Sequence, residues 1–167
     1  MYTGATQPDP GLPDVGASGN IVLKLAKIIP QNMFYKIYYD NWFNSIYLQV
    51  ALEKRGIQSI GTIRPNRLQG CNFISDKEMS RKGQGTFAAQ RTTLDGVKLI
   101  CVKWFDNTTV HTLSTFAGAH PVKNVKRWNS KTKSRIDVPC PSSTGLITSK
   151  EKEVKCTCLI HSPITLT

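Results

Sequence analysis

The sequence predicts a mixed α/β fold whose second half consists mainly of β-strands. A strand, an amphipathic helix and a second strand follow one another over residues 33–65. That order is typical of two parallel strands joined by a right-handed helical crossover. Three short β-like runs separated by polar turns follow between residues 85 and 118. Their spacing predicts an antiparallel meander.

The N-terminal part is predicted to be a loop followed by one helix. Residues 1–18 are rich in Pro, Gly, Asp and Thr, which favours a loop or a loose arm. Residues 19–29 carry apolar side chains at helical spacing, with lysines on the other face. Ser18 or Asn20 is the expected N-cap, and Pro30 is expected to end the helix.

The strand–helix–strand unit follows directly. Residues 33–40 are dense in aromatic and β-branched side chains, which favours a strand. The helix is expected to begin at Trp42 and to end at Gly56, because glycine is a common C-terminal cap. Residues 57–65 are predicted to form the second strand.

The next segment, residues 66–85, is polar and is expected to be a loop with one short helix. Beyond the meander, residues 123–135 are dense in Lys and Arg, contain no acidic residue and include Trp128. A basic run with an aromatic side chain is suited to a phosphate backbone and to base stacking. The alternative is a solvated basic loop whose Trp128 packs into the meander.

Composition places the chain among globular proteins with an unusual charge. Its 167 residues are enough for one ordinary domain, with 40% apolar and 20% charged residues. The 22 Lys and Arg outnumber the 11 Asp and Glu, giving a net charge of +11. Such an excess favours a polyanionic partner, while a solvated basic surface without a specific partner is the alternative.

Membrane insertion and disulfide bonding are not expected. No apolar run approaches the roughly 18 residues of a spanning helix, and the N-terminus lacks the features of a signal peptide. The five cysteines are odd in number and irregular in spacing, which favours a reducing intracellular compartment. They are Cys71, Cys101, Cys140, Cys156 and Cys158.

Asp40 is the strongest candidate for chemistry. It stands at the C-terminal end of a predicted strand, where ligands and catalytic groups gather in open α/β sheets. A carboxylate there is a hard ligand for Mg²⁺ or Mn²⁺. The alternative is that Asp40 or Asn41 caps the following helix. No second acidic residue follows an apolar strand or lies on an apolar helix face, so the residues alone do not predict a two-metal site.

The remaining candidate ligands are weaker. Cys156, Cys158 and His161, with Cys140 as a fourth ligand, match the spacing of no common zinc finger. Unpaired cysteines in a tail are the preferred interpretation. His111 is predicted to be a surface residue of a strand, and His120, ahead of a proline, a turn residue.

Several ordered motifs resemble the piggyBac transposase family. They are YYDNWFNSIYL at residues 38–48 and EKRGIQSIGTIRPNR at residues 53–67, followed by SDKEMSRKGQGTF, LICVKWFDNTTVHTLST and HPVKNVKRW further along the chain. The resemblance covers about residues 2–141.

The resemblance implies a fold and an activity. Such transposases have an RNase H-like catalytic domain in which three aspartates bind two Mg²⁺ or Mn²⁺ ions that cut and join DNA. Asp40 matches the second aspartate. The implied organisation is a partial RNase H-like core over residues 1–65, a β-rich insertion domain over residues 66–139, and a disordered tail outside the family over residues 140–167.

The implied partner is DNA, in a nuclear or otherwise intracellular location and without a membrane. The expected DNA contacts are basic and aromatic residues of two segments, namely Arg64, Arg67, Lys123, Lys126, Arg127, Trp128, Lys131, Lys133 and Arg135.

The departures from the family pattern concern its metal site. The Tyr-Thr-Gly motif that follows the strand of the first aspartate starts here at Tyr2, and Pro141 is not followed by the Gly-Gly-Val-Asp motif of the third. We therefore expect an α/β fold without its N-terminal strand and C-terminal helices, with no bound metal and no nuclease activity. The alternatives are a domesticated DNA- or chromatin-binding module, and an endonuclease completed by another chain.

A further expectation concerns solubility. Without the neighbouring strand, residues 33–40 become a sheet edge that is apolar and aromatic. An open edge of this kind pairs readily with other chains. We expect self-association of the isolated protein.

Overall fold

The computed structural model describes residues 8–148 of the chain. In chain order its elements are α1 (Ala17–Leu25), β1 (Lys36–Tyr39), α2 (Ile46–Glu53), β2 (Gln58–Thr62), α3 (Asp76–Lys82), β3 (Phe87–Leu94), β4 (Val97–Phe105), β5 (Thr109–Ser114), β6 (Lys123–Asn129), β7 (Ser134–Cys140) and α4 (Ser142–Thr148). Short 3₁₀ turns occupy Ala26–Ile28 and Pro65–Arg67.

Five strands form one mixed sheet in the order β1-β2-β5-β4-β3. The first two strands are parallel, with Lys36 opposite Gln58 and Tyr39 opposite Gly61. The remaining neighbours are antiparallel. The predicted mixed α/β class, the strand–helix–strand unit and the meander are therefore confirmed. As expected, β1 lies at an edge of this sheet.

The sheet runs across the predicted boundary at residue 65. Strand β2 pairs with β5, with Ile60 opposite Ser114 and Thr62 opposite Thr112. One apolar cluster contains buried residues from both sides of that boundary, including Val50, Ile63, Leu99 and Leu113. The division into a core and an insertion domain stays a prediction, but the described residues on its two sides share a sheet and a core.

The starts of the first two helices differ from expectation. Gly16, which has no side chain, is the N-cap of α1. The Asn20 side chain accepts from the Val15 amide at 3.0 Å and does not cap this helix. Helix α2 begins at Ile46, since the Ser45 Oγ accepts from the Leu48 amide at 3.2 Å. The expected caps at Ser18 or Asn20, and the expected start at Trp42, were wrong.

Helix α2 ends at Glu53 with Lys54 as its C-cap, so the expected end at Gly56 was wrong, and Gly56 lies in the turn that follows. Its φ is +68°, and a Cβ there would lie 2.5 Å from the Asn32 Cα. The segment that leads into β1, at Asn32, therefore passes directly over this glycine.

His111 is buried rather than exposed, contrary to expectation, with 8% of its surface accessible. The loop before α3 covers this face of the sheet, and the Phe73 ring meets the imidazole edge-on at a centroid distance of 5.9 Å. Burial, with a smaller contribution from the Lys103 charge, lowers the pKa of His111.

The C-terminal segment is ordered further than predicted. Residues Ser142–Thr148 form α4, and Ser143 and Thr144 are buried. The Thr112 hydroxyl donates to the Ser143 Oγ at 3.1 Å, which attaches this helix to the sheet. Disorder was therefore wrong for this helix, whereas the expectations for Cys156, Cys158 and His161 fall outside the described residues.

No helix within residues 8–148 is long and apolar enough to cross a membrane. The three cysteines in this range, Cys71, Cys101 and Cys140, are free thiols. Burial raises the pKa of the Cys101 thiol to about 12.

Candidate nucleic-acid interface and the Asp40 loop

Asp40 follows β1 and is exposed. Its carboxylate Oδ1 accepts a hydrogen bond from the Trp42 amide at 2.5 Å. Its backbone carbonyl accepts from the Phe43 and Asn44 amides, each at 3.2 Å. Asp40 therefore stabilises the turn that precedes α2, and the expected cap is a turn cap rather than a helix cap.

The described residues do not provide the carboxylates of a two-metal site. No group of three or more His, Cys, Asp or Glu side chains converges within residues 8–148. Four of the other aspartates pair with cations, with N–O distances of 2.7 Å for Asp9, 2.6 Å for Asp76, 3.1 Å for Asp95 and 3.7 Å for Asp106. Two divalent ions need several converging oxygen ligands, so the donor set around Asp40 does not fit them.

Arg67 binds the backbone of the loop that follows Asp40. Its Nη1 lies 3.0 Å from the Asn41 carbonyl oxygen, 3.1 Å from that of Trp42 and 2.8 Å from that of Asn44. The 3₁₀ turn at Pro65–Arg67, directly after β2, places the Arg67 guanidinium next to this loop. These bonds are charge-assisted, which makes them stronger than neutral ones.

Arg64 contacts the same loop from its exposed side. Its Nε donates to the Asn41 Oδ1 at 3.3 Å, and its guanidinium lies 5.4 Å from the centre of the Trp42 ring. Both arginines were predicted as DNA contacts. In the structure both arginines bind groups of the protein itself, and a DNA contact by either stays a prediction.

Two buried amides connect this loop to the sheet. The Asn44 Nδ2 donates to the Thr62 carbonyl at 2.9 Å, and the Gln49 Nε2 donates to the Leu113 carbonyl at 2.8 Å and to the Asn44 Oδ1 at 3.2 Å. Neither side chain is accessible to solvent. Neither residue is predictable from the sequence as buried, because a polar residue within a predicted amphipathic helix is expected on its solvated face.

Strands β6 and β7 form a separate two-stranded sheet, and we call residues 123–140 the basic hairpin. Its inward face packs on Trp104, which is 1% exposed, through apolar residues that include Val125, Ile136 and Val138. The Trp104 indole N–H donates to the Pro139 carbonyl at 2.8 Å. The charge of this segment is evident in the sequence, but the hairpin is not. Its apolar residues alternate with basic and polar ones, so the segment lacks the dense apolar and β-branched run that favours a strand.

The outward face of the basic hairpin carries Trp128 and cations. Side chains alternate between the faces along a strand, so Lys126 and Trp128 lie on the side opposite Val125. Arg135 stands opposite Trp128, and Asp137 stands opposite Lys126. Trp128 is 52% exposed, so the alternative in which it packs into the meander was wrong.

The connecting turn adds two further cations. Lys131 and Lys133 are exposed there, and the Asn129 Oδ1 shapes the turn by accepting from the Lys131 and Thr132 amides at 2.9 and 3.2 Å. Lys126, Lys131, Lys133 and Arg135 form no ion pair with any residue in the described range. With Asp137, the outward face and turn carry four positive charges and one negative charge.

Arg127 points the other way. Its guanidinium lies 5.5 Å from the centre of the Trp104 ring, its Nη2 donates to the Thr148 Oγ1 at 2.9 Å, and its Nε lies 3.7 Å from the Asp106 carboxylate. Arg127, a predicted DNA contact, therefore attaches the basic hairpin to the sheet and to α4.

Gln84 fixes the strand that carries Trp128. Its Nε2 donates to the Asp106 carboxylate at 3.0 Å and to the Trp128 carbonyl at 3.1 Å. The Asn129 Nδ2 donates back to the Gln84 Oε1 at 2.9 Å. A lone glutamine in a polar loop gave no signal in the sequence.

Comparison with known proteins places this architecture in a family. The family described as Transposase IS4 matches residues 1–140. The chain belongs to this transposase family. The resemblance to piggyBac transposases is confirmed by two human relatives. PiggyBac transposable element-derived protein 2 is 30% identical over 147 residues, and PiggyBac transposable element-derived protein 3 is 30% identical over 131 residues.

This piggyBac-type chain corresponds to a part of those relatives. The matches cover 87% and 77% of this chain, but only 24% and 22% of the two human proteins. The chain therefore spans about a quarter of the length of the curated relatives that it matches. Among solved structures, the cryo-EM structure of a piggyBac transposase synaptic complex with hairpin DNA is similar with a TM-score of 0.49 and 23% identity, covering 80% of this chain and 26% of that chain.

In this piggyBac-type chain the predicted DNA contacts fall into two groups. Arg64, Arg67 and Arg127 contact the protein itself. The exposed group lies on the basic hairpin and consists of Lys123, Lys126, Trp128, Lys131, Lys133 and Arg135.

Proposed function

We propose that this transposase-derived chain binds DNA through the outward face and turn of the basic hairpin, and that it does not cleave DNA by itself. The observation that carries the proposal is the group of four cations that no described carboxylate pairs with. They surround one rigid strand pair rather than being spread over the surface. Phosphates release condensed counterions when such a group binds them, which supplies most of the sequence-independent affinity.

DNA binding is expected to depend steeply on salt. Four phosphate contacts predict a slope of about −3 to −4 for the logarithm of the association constant against the logarithm of salt concentration. Lys131→Ala/Lys133→Ala is expected to reduce the size of that slope by about 2. Anisotropy of a labelled duplex, measured between about 50 and 200 mM salt, gives both values.

Lys77→Ala/Lys98→Ala is the matched control for this experiment. Both lysines are exposed outside the basic hairpin, and the double variant changes the net charge by the same amount. The slope is expected to stay unchanged. If the two double variants weaken binding equally, net charge governs the affinity and the basic hairpin is not the interface.

The proposed lack of cleavage rests on the surroundings of Asp40. We propose that β1, α2 and β2 are part of an RNase H-like core, in which Asp40 descends from a metal ligand and stabilises the turn before α2. The described residues then provide no complete site for the family's Mg²⁺ or Mn²⁺. Supercoiled plasmid incubated with the protein and Mn²⁺ is expected to stay uncut, and cleavage that Asp40→Ala abolishes would contradict this.

We further propose that the protein self-associates through β1 and acts in the nucleus. Strand β1 lies at the sheet edge, and Tyr38 on it is 51% exposed. Exposed Met33 and Phe34 precede it. An edge of this kind is a template for pairing with another chain. Light scattering of the purified protein measures its mass, and a strictly monomeric species would argue against self-association.

A further inference from the structure

We propose that Trp128 stacks on an unpaired base, so that the basic hairpin prefers single-stranded over double-stranded DNA. This inference rests on the proposed function and specifies the form of DNA that the same surface takes. The other reading of the surface, in which only the cations matter and duplex is bound equally well, is the alternative that the experiment below decides.

The first support is the state of the Trp128 side chain. More than half of it is exposed, at 52%, although the indole is one of the largest apolar side chains. Within residues 8–148 it belongs to no apolar cluster, its indole N–H donates to no protein acceptor, and no cation stacks on its ring. Both the ring face and the indole N–H are therefore free to contact a ligand.

The second support is that the strand carrying the ring is held by the β-ladder and by Gln84. Trp128 pairs with Arg135 in the ladder, and its carbonyl accepts from the Gln84 Nε2 at 3.1 Å. Gln84 is itself held by Asp106 and Asn129. An aromatic side chain on a rigid strand loses little conformational entropy on binding, which favours stacking.

The third support is the spacing of the cations around the ring. Lys126 is two residues before Trp128 on the same strand, about 7 Å away, and Arg135 is directly opposite, about 5 Å away. Both cations lie close enough to reach the phosphates that flank a base on the ring. Lys131 and Lys133 continue the positive surface around the turn.

The shape of the surface decides between the two forms of DNA. Bases inside a duplex already stack on their neighbours, so their faces are not available to a flat strand pair. An unpaired base offers its face to an aromatic side chain whatever its sequence, and such stacking is typical of proteins that bind single strands. The charges alone would not distinguish the two forms, whereas the ring does.

The experiment compares the affinities of a single-stranded oligonucleotide and of its duplex for the full chain, by fluorescence anisotropy at one salt concentration. The wild-type protein is expected to prefer the single strand. Trp128→Ala is expected to lower the ratio of single-strand to duplex affinity by about five- to 160-fold, the range found for loss of one stacked base. Trp128→Phe is expected to retain most of the ratio, because phenylalanine also offers a ring face.

Two control variants separate stacking from charge and from loss of an exposed tryptophan. Lys131→Ala/Lys133→Ala is expected to weaken both forms and to leave the ratio within about twofold. Trp42→Ala removes an equally exposed tryptophan, at 58%, outside the basic hairpin, and is expected to leave the ratio unchanged. Far-UV circular dichroism confirms that each variant is folded.

The outcomes distinguish the inference from the proposed function. Duplex binding that depends on Lys131 and Lys133, with a ratio that Trp128→Ala does not change, would overturn the stacking inference and leave the proposed function standing. Absence of binding to either form would overturn both. A selective loss of single-strand affinity in Trp128→Ala, restored in Trp128→Phe, supports both.

Discussion

Replacing Trp104 by alanine is expected to lower the free energy of unfolding by about 3–5 kcal/mol, the usual cost of removing a buried aromatic side chain. Trp104 is 1% exposed, and from β4 its side chain packs against the basic hairpin. The variant loses the ring under Val138 and Cys140 together with the indole N–H bond to the Pro139 carbonyl, which measures 2.8 Å. Arg127 also loses the ring on which its guanidinium lies.

Urea denaturation followed by far-UV circular dichroism measures this loss. Trp42→Ala is the matched control, because Trp42 is 58% exposed and its removal is expected to cost less than about 1 kcal/mol. Hydrogen exchange adds a local reading, since the amides of β6 and β7 should lose protection before those of β4 and β5. Equal losses of stability in the two variants would show that Trp104 does not anchor the basic hairpin.

Arg67→Ala is expected to cost about 2–3 kcal/mol, in the range of hydrogen bonds that involve a charged group. Its Nη1 lies between 2.8 and 3.1 Å from three backbone carbonyl oxygens of the loop after Asp40. Without the guanidinium those oxygens depend on water, and the segment between β1 and α2 is less constrained. Arg67→Lys should recover less than half of the loss, because the lysine side chain is shorter and does not carry its nitrogen to the position of Nη1.

The free energy of unfolding of Arg67→Ala is compared with that of Arg64→Ala. Arg64 is exposed and contributes a single hydrogen bond of 3.3 Å and a stack on Trp42, so its removal is expected to cost less than about 1 kcal/mol. If Arg67→Lys is as stable as the wild type, the charge alone holds the loop and the three-carbonyl geometry is unimportant.

The contacts of three arginines bear on how charge is interpreted in a sequence of this kind. A net charge of +11 suggested a general affinity for polyanions. Arg64, Arg67 and Arg127 nevertheless contact the protein's own carbonyl, amide, hydroxyl, carboxylate and aromatic groups. The net charge therefore overstates the charge that is available to a partner, whereas the four cations on the outward face and turn of the basic hairpin pair with no described carboxylate.

Local patterns were enough to predict the elements whose signals are local. The run of aromatic and β-branched residues gave β1, and the polar turns between apolar runs gave the meander of β3, β4 and β5. Gly56 indicated the turn after α2 but not the residue at which the helix ends, and its positive φ and close approach to Asn32 both require glycine. The quoted motifs also identified the family from the residues alone.

Only the tertiary structure decided which face of each element is buried and what each polar side chain meets. His111 is buried because a distant loop covers it, and the basic hairpin exists because Trp104, 35 residues from Pro139, provides its apolar support. Asp40 is the plainest case. The sequence determined its place after a strand and its family origin, but whether a carboxylate binds a metal or stabilises a turn depends on which groups converge on it. In the described structure the carboxylate accepts from the Trp42 amide of its own loop, and no metal-binding group of side chains forms around it within residues 8–148.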